Sequence, residues 1–295
     1  MNAEQAVREV IERSVASSLL NRLPRLDGSP IFDTPLVGVA DGADPLFLQY
    51  QQIIGPFHLT PLELLQHAAA EGLTAVHNDL ACLRVICWVL PINSATREGN
   101  RREVTGPSER WQHTKAYGEE FNDALRNHLV AWFSDQGYLV AAPLLSAIYR
   151  TRIKSLNLTS PWSERHALYA AGLGTFSLSD GFITPKGVAM RCGSVITNLP
   201  LPVTPRRYTT HTANCLHFSE GICGECIARC PAGAISAVGH DKAKCFHYLD
   251  VDLGPLRARY NVATTACGLC QTGVPCEAGI PAHSAGPKAT PPGGR

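Results

Sequence analysis

Apolar residues recur along the chain with two different periods. Val7, Val10, Ile11, Val15 and Leu19 fall at helical spacing and predict a helix over 3–22. The LPRLDGSP stretch ends it, and the Pro, Gly and Asp of residues 24–60 predict a long, packed but irregular lead-in. Thr60-Pro61 followed by Glu63 is a helix start and carries a helix to about Glu71. Leu83 to Ile92 is then a continuous apolar run between polar neighbours, the pattern of a buried strand. Cys82 and Cys87, flanking and within that run, read as small core hydrophobes. Residues 93–112 show no period and predict a loop of the length used for lids and binding loops. Tyr117, Phe121, Leu125, His128, Leu129 and Trp132 mark an amphipathic helix with His128 packed on its apolar stripe. GYLVAAP, Gly137 to Pro143, predicts a short strand. A helix from Ser160 and Glu164 stops at Gly172, and Val195 to Thr197 forms a strand after Gly193-Ser194. Helices and strands mixed in this way give an α+β or α/β pattern.

The chemistry concentrates at the C-terminal end. Eight of the eleven cysteines lie between Cys215 and Cys276: Cys215, Cys223, Cys226, Cys230, Cys245, Cys267, Cys270 and Cys276. CGECIARCP is C-x2-C-x3-C-P, the end of the bacterial ferredoxin run, in which the last cysteine serves the other cluster of a pair. Eight thiolates suffice for two [4Fe-4S] clusters. The interleaved assignment gives Cys223, Cys226, Cys276 and Cys215 to one, and Cys230, Cys245, Cys267 and Cys270 to the other. Two positions depart from the regular run. Glu220 stands where a cysteine would precede Cys223 by three, so the fourth ligand is Cys215 on a longer loop, His217, or none, which leaves an open iron. Cys276 follows Cys270 at six residues rather than four. Zinc also takes C-x2-C pairs, and disulfides would suit a secreted domain; neither explains the Cys-Pro spacing.

Composition narrows the partners. The 295 residues carry a formal net charge of +1 and are 45% hydrophobic, enough for a large domain and a small one. Short basic groups such as Arg150, Arg152 and Lys154 are no polyphosphate-binding field, so no nucleic acid is expected. No apolar stretch is long enough for a membrane, and the charged N-terminus is unlike a signal peptide. With so many thiols, a cytoplasmic location is expected.

Four segments together resemble the corrinoid-dependent iron-sulfur reductases, namely epoxyqueuosine reductases and reductive dehalogenases. They are ERHALYAAGLGTFSLSDGFITPKG (164–187), RCGSVITNLPL (191–201), CGECIARCPAGAI (223–235) and KCFHYL (244–249). The resemblance covers most of residues 30–280. It implies an α+β fold in which an α/β nitroreductase-like cofactor domain, residues 1–204 with a helical N-terminal lead-in, precedes a bacterial-ferredoxin-like two-cluster module, residues 205–282. Residues 283–295, rich in Pro and Gly, are expected to form a disordered tail. It further implies a cobalamin between the two, received by Gly172, Leu173, Gly174, Thr175 and Phe176 and by Cys192, Gly193, Ser194 and Val195. Taken alone, the glycines are ordinary helix-cap and strand-start residues, and Cys192 is a packing residue or a lower cofactor ligand.

Departures limit how much function carries over. Val140 stands where the resemblance implies the proton-donating Asp of the epoxyqueuosine reductases, and the residues after Cys276, ending PAHSAGPKATPPGGR, do not resemble their helical-repeat module for tRNA, so tRNA modification is not expected. The proton donor must then be sought among Tyr149, Arg152, Lys154 and Tyr117. The expected activity is that of a cytoplasmic reductase. Electrons pass from a low-potential donor of ferredoxin or flavodoxin type through two clusters to cobalamin and a small-molecule substrate. The alternatives are an electron-transfer protein serving a corrinoid or flavin partner, a flavin in place of cobalamin, or substrate bound directly to an open iron.

Overall fold

The computed structural model describes residues 2–71 and 79–282, so the tail expected to be disordered lies outside it. In chain order the elements are α1 (Ala3–Ser17), β1 (Leu36–Asp41), α2 (Leu46–Ile53), α3 (Pro61–Ala70), β2 (Arg84–Pro91), α4 (Ser94–Arg101), α5 (Glu109–Asp135), β3 (Val140–Ala141), α6 (Ala147–Ile153), α7 (Glu164–Ala170), β4 (Thr175–Phe176), β5 (Phe182–Ile183) and β6 (Met190–Thr197). The cysteine-rich end adds α8 (Leu216–Glu220), α9 (Glu225–Ala228), β7 (Ile235–Ser236), β8 (Gly239–His240), α10 (Lys242–His247) and α11 (Leu256–Tyr260). No helix among the described residues is long and apolar enough to cross a membrane.

The main sheet runs β1-β2-β6-β3 and every pairing is antiparallel. Helices cover both of its faces, which is why β2 reads as an unbroken apolar run: Ile86, Trp88 and Leu90 pack with α1 and α5, and Val85, Cys87 and Val89 with α2, α3 and α7. Trp88 lies opposite Gly193, where an added Cβ would stand 2.4 Å from the indole ring. Gly193 therefore marks a close approach of strand and tryptophan.

Four expectations need correction. The N-terminal helix ends at Ser17, because Ser18 turns extended and the Asn21 amide donates to the Val15 carbonyl at 2.8 Å; Leu19 is left exposed. The irregular lead-in holds β1 and α2, too short and too broken by Pro and Asp to show a period. The loop at 93–112 contains α4, whose Asn93 cap accepts from the Thr96 amide at 2.8 Å. That helix buries Thr96 and Asn100 rather than an apolar stripe, so no periodicity announces it. On α5, His128 is exposed while Arg126 is buried in its place.

Gly193→Ala should lower the chemical-denaturation midpoint of the apo chain by an amount equivalent to about 1–3 kcal/mol, the usual cost of forcing a methyl into a packed core. An unchanged midpoint would show that Trp88 can yield.

Candidate functional site

The cysteine-rich end is held to the sheet by backbone and charge. Val188 N donates to Cys276 O at 2.8 Å and Ala189 N to Glu277 O at 3.3 Å. Gly187 (φ 88°) admits that pairing, since a Cβ there would meet Glu277 O at 2.1 Å. The buried Glu277 carboxylate accepts from Arg101 Nη2 at 2.6 Å and from Gly273 N at 2.7 Å. On the far side Arg229 donates to Thr272 O at 2.9 Å and to Glu103 O at 2.9 Å, and Ala266 N to Gln112 Oε1 at 2.8 Å.

All eleven cysteines are free thiols. Cys215, Cys223, Cys226 and Cys276 line one cavity, walled by apolar side chains such as Ile183, Leu216 and Val274. The longer segment before Cys223 is the short helix α8, ended by Gly221 in the left-handed region, and it delivers Cys215 to the cavity. His217 lies there too, but its Nδ1 is 2.9 Å from Cys223 O and its Nε2 is 3.0 Å from Ala237 O. Both ring nitrogens are engaged with carbonyl oxygens, so His217 is not placed as a ligand.

Electrostatics divides the thiols the same way. Burial pushes Cys226 up to about 11, and Cys215 and Cys223 push further in the same direction. Burial and then Cys215, Cys226 and Cys223 raise Cys276 to about 12. Cys267 rises to about 11 through burial, opposed by the Leu269 amide and reinforced by Cys230 and Cys245. Cys270 is raised by burial, then by Cys267, Cys245 and Cys230, with Cys226 last. Cys270 also touches the first cavity. We assign it to the second set because its stronger repulsions come from there. Cys230 Sγ accepts from Ala234 N at 3.3 Å. Among the described residues no three His, Cys, Asp or Glu side chains converge as ligands of a single ion. A zinc ion draws its thiolates to about 2.3 Å, whereas a cubane takes them at separate corners. The two sets could each hold a [4Fe-4S] cluster.

The positions expected to receive cobalamin lie mostly in the interior. Leu173, Gly174, Thr175, Gly193, Ser194 and Val195 are buried. A Cβ on Gly172 would meet Pro205 O at 2.8 Å, and one on Gly174 would meet Ile183 O at 2.2 Å. Thr175 Oγ1 accepts from Asn214 N at 2.9 Å, and Phe176 packs on His166 and Phe182. As arranged, these residues do not offer a corrin an open face, and the glycines are explained by protein contacts. The four proton-donor candidates do not meet. Tyr117 stacks on His113 on the α5 side of the sheet. On the other side, Tyr149 packs near Ser160, Arg152 donates to Phe57 O at 3.2 Å, and Lys154 is exposed.

A charged group at the edge of β6 was not foreseen. β3 pairs only with Ile196 and Thr197, which leaves the first half of β6 open on that side. There the Cys192 carbonyl accepts from Asn122 Nδ2 at 2.8 Å and from Arg126 Nη2 at 3.3 Å. Arg126 also binds Asp123 Oδ1 at 2.6 Å, Glu119 Oε1 at 3.1 Å and Glu164 Oε1 at 3.3 Å, and Ser194 Oγ donates to Glu164 Oε2 at 2.5 Å. Burial pushes the Glu164 carboxyl up, with Arg126, Ser194 and Trp162 pulling it back. Arg191 pairs with Leu90 on the α5 side, and its buried Nε has no hydrogen-bond partner. The Arg191 charge, then burial, brings Lys115 down to about 8, against the pull of Glu119 and Asp123. Its sequence signal was Lys115, Glu119 and Asp123 at four-residue spacing beside a cationic strand start, hidden because it lies outside the apolar stripe.

No protein-family model matches the chain, and no curated protein matches its sequence. Solved structures resemble it in fold. Epoxyqueuosine reductase from Streptococcus thermophilus superposes at a TM-score of 0.50 and 13% identity, over 96% of this chain and 69% of that one. The Bacillus subtilis epoxyqueuosine reductase gives 0.46 and 17%, over 96% and 68%. A reductive dehalogenase whose structure suggests a mechanism for B12-dependent dehalogenation gives 0.42 and 20%, over 63% and 25%. The mixed helix-and-sheet fold is thus similar to that of the epoxyqueuosine reductases.

Competitive acetylation read by mass spectrometry should find Lys115 half-reactive near pH 8, because only the neutral amine reacts and its fraction grows as pH rises through the pKa. Arg191→Met should move that midpoint upward, towards the ordinary lysine value of 10.5. An unmoved midpoint would show that Arg191 does not act on Lys115.

Proposed function

We propose that the chain is an iron-sulfur oxidoreductase whose eight C-terminal thiolates hold two [4Fe-4S] clusters. The observation that supports this reading is the single cavity lined by Cys215, Cys223, Cys226 and Cys276, with Cys230, Cys245, Cys267 and Cys270 taken as the second set on their spacing. Residues 205–282 are then a ferredoxin-like module and residues 1–204 a nitroreductase-like domain. The clusters would carry single electrons from a low-potential protein donor in the cytoplasm towards a small substrate. Cys276 serves one set through a segment that also pairs with Val188 and Ala189, so β6 begins beside the electron source.

The chain's own residues supply the rest. Arg126 and Glu164 fix the carbonyl of Cys192 and the hydroxyl of Ser194, and with them the geometry of the open edge. Arg191 offers an unpaired Nε, and Lys115, brought down to about 8, can release a proton to a reduced product. Cobalamin would supply a cobalt centre able to attack or reduce a substrate. Six of the nine positions expected to receive it are buried against protein and do not fit a corrin as they stand, and no step is assigned to it. Their burial favours a second reading, an electron carrier that reduces a partner's corrinoid or flavin.

Anaerobic reconstitution of variants tests the ligand set. Cys215→Ala should lose about four of the roughly eight irons bound by the unaltered chain, while His217→Ala should keep them all. Full iron in Cys215→Ala, or loss of a cluster in His217→Ala, would contradict the assignment.

A further inference from the structure

β6 carries on its α5 side a cation that the fold leaves without a partner. Side chains alternate along the strand: Ala189 and Val195 pack in the core under α5, whereas Met190 and Cys192 pack on the opposite face. Arg191, opposite Leu90 of β2, therefore points to the α5 side. Its Nε is buried without a hydrogen-bond partner, and its guanidinium forms no hydrogen bond or ion pair among the described residues. A buried charge in that condition is costly unless something pairs with it.

The acids that could have paired with it are taken. Arg126 draws three carboxylates, Asp123 at 2.6 Å, Glu119 at 3.1 Å and Glu164 at 3.3 Å. The same helix holds a second unpaired cation. Asn122 fixes α5 against the strand by donating to Cys192 O at 2.8 Å, and Lys115 lies about two turns before it on the same face. Lys115 also forms no hydrogen bond or ion pair among the described residues. The repulsion of Arg191 that, with burial, brings Lys115 down to about 8 agrees with that placement. In number the three acids balance Arg126, Arg191 and Lys115, so the site is no basic field. What stays unused is the planar donor edge of one arginine.

We propose that Arg191, with Lys115 beside it, anchors the carboxylate of a small-molecule substrate, an assignment that rests on the reductase reading above. A guanidinium presents parallel N–H groups that match the two oxygens of a carboxylate. The balanced local charge suits one negative charge better than the two of a phosphate. Both cations are half-buried rather than sealed from solvent, and β3 leaves this part of the β6 edge uncovered, since it pairs only with Ile196 and Thr197. The place also fits the proposed electron path. Just upstream of Arg191, Ala189 N donates to Glu277 O at 3.3 Å and Val188 N to Cys276 O at 2.8 Å, so an acid held at Arg191 sits on the strand whose start is seated against a thiol of the first set.

The test is the unfolding midpoint of the anaerobically reconstituted full chain at constant ionic strength, with chloride replaced stepwise by propionate, benzoate or inorganic phosphate. A ligand bound only by the folded chain raises the midpoint as its concentration grows. Because phosphate strengthens burial in any protein, the readout is the difference between the unaltered chain and Arg191→Met in the same salt. Propionate and benzoate should raise the midpoint of the unaltered chain above their effect on Arg191→Met, and phosphate should give a smaller difference. In chloride, Arg191→Met should unfold no earlier than the unaltered chain, because an apolar side chain replaces an unpaired buried charge. Arg191→Lys keeps the charge without the fork and should bind the carboxylates about tenfold more weakly. No difference with either carboxylate, or a larger difference with phosphate, would overturn the proposal. If Arg191→Met does not fold, Arg191→Lys decides, and an undiminished carboxylate shift there overturns it. A chain that takes up no cluster yet shows the Arg191-dependent shift would refute the two-cluster reading and leave the anion site standing.

Discussion

The pairing of residues 276 and 277 with residues 188 and 189 is the constraint on which the arrangement depends. It seats one thiol of the first set against the strand that opens the charged edge, and it does so with backbone bonds alone. Gly187 makes room for it, and the Glu277 carboxylate secures it from the other side through Arg101 and the Gly273 amide. Hydrogen bonds to a charged group contribute about 1.5–3 kcal/mol each, and a buried carboxylate left without partners would cost more than it gained. Glu277 therefore acts as a lock on the loop between Cys270 and Cys276. The six-residue spacing that departs from the regular ferredoxin run is the length of chain that this lock occupies.

The thiol chemistry was readable because it is written as spacing. C-x2-C-x3-C-P and the later C-x2-C pair locate five of the eight thiols at once, and the irregular Cys215 is explained by α8, which needs five residues and a left-handed glycine to bring it round. The doubly covered strand β2 was readable for a similar reason, since burial on both faces leaves an apolar run with no period to misread. Elements that bury polar atoms were not readable. α4 faces the cysteine-rich end with Asn100, whose amide donates to Thr272 Oγ1, and its arginines answer a carboxylate some 180 residues further on in the chain. Arg126 takes an interior place on α5 because Glu119, Asp123 and Glu164 compensate it, and two of those are ordinary surface types in a helical pattern. No local signal distinguishes a compensated buried arginine from an exposed one.

The glycine motifs teach a related lesson. Gly172, Gly174 and Gly193 each mark a close approach, and in each case the approaching group is protein: the Pro205 carbonyl, the Ile183 carbonyl and the Trp88 ring. Their pattern resembles that of cofactor-binding reductases, and the fold is similar to theirs, yet the same glycines are needed for packing whether or not a cofactor lies nearby. What separates a scaffold from a site here is polarity. At the open edge of β6, Arg126 and Arg191 each keep a buried Nε without a hydrogen-bond partner.

The central claim is that eight thiolates form two interleaved cubane sites, and the most direct measurement is metal and sulfide analysis of the anaerobically reconstituted chain combined with its electron paramagnetic resonance after reduction. The account predicts about eight irons and about eight labile sulfides per chain, with a spectrum broadened by interaction between two neighbouring reduced clusters. About two zinc ions with no labile sulfide, or iron that stops at about four with a single isolated signal, would contradict it.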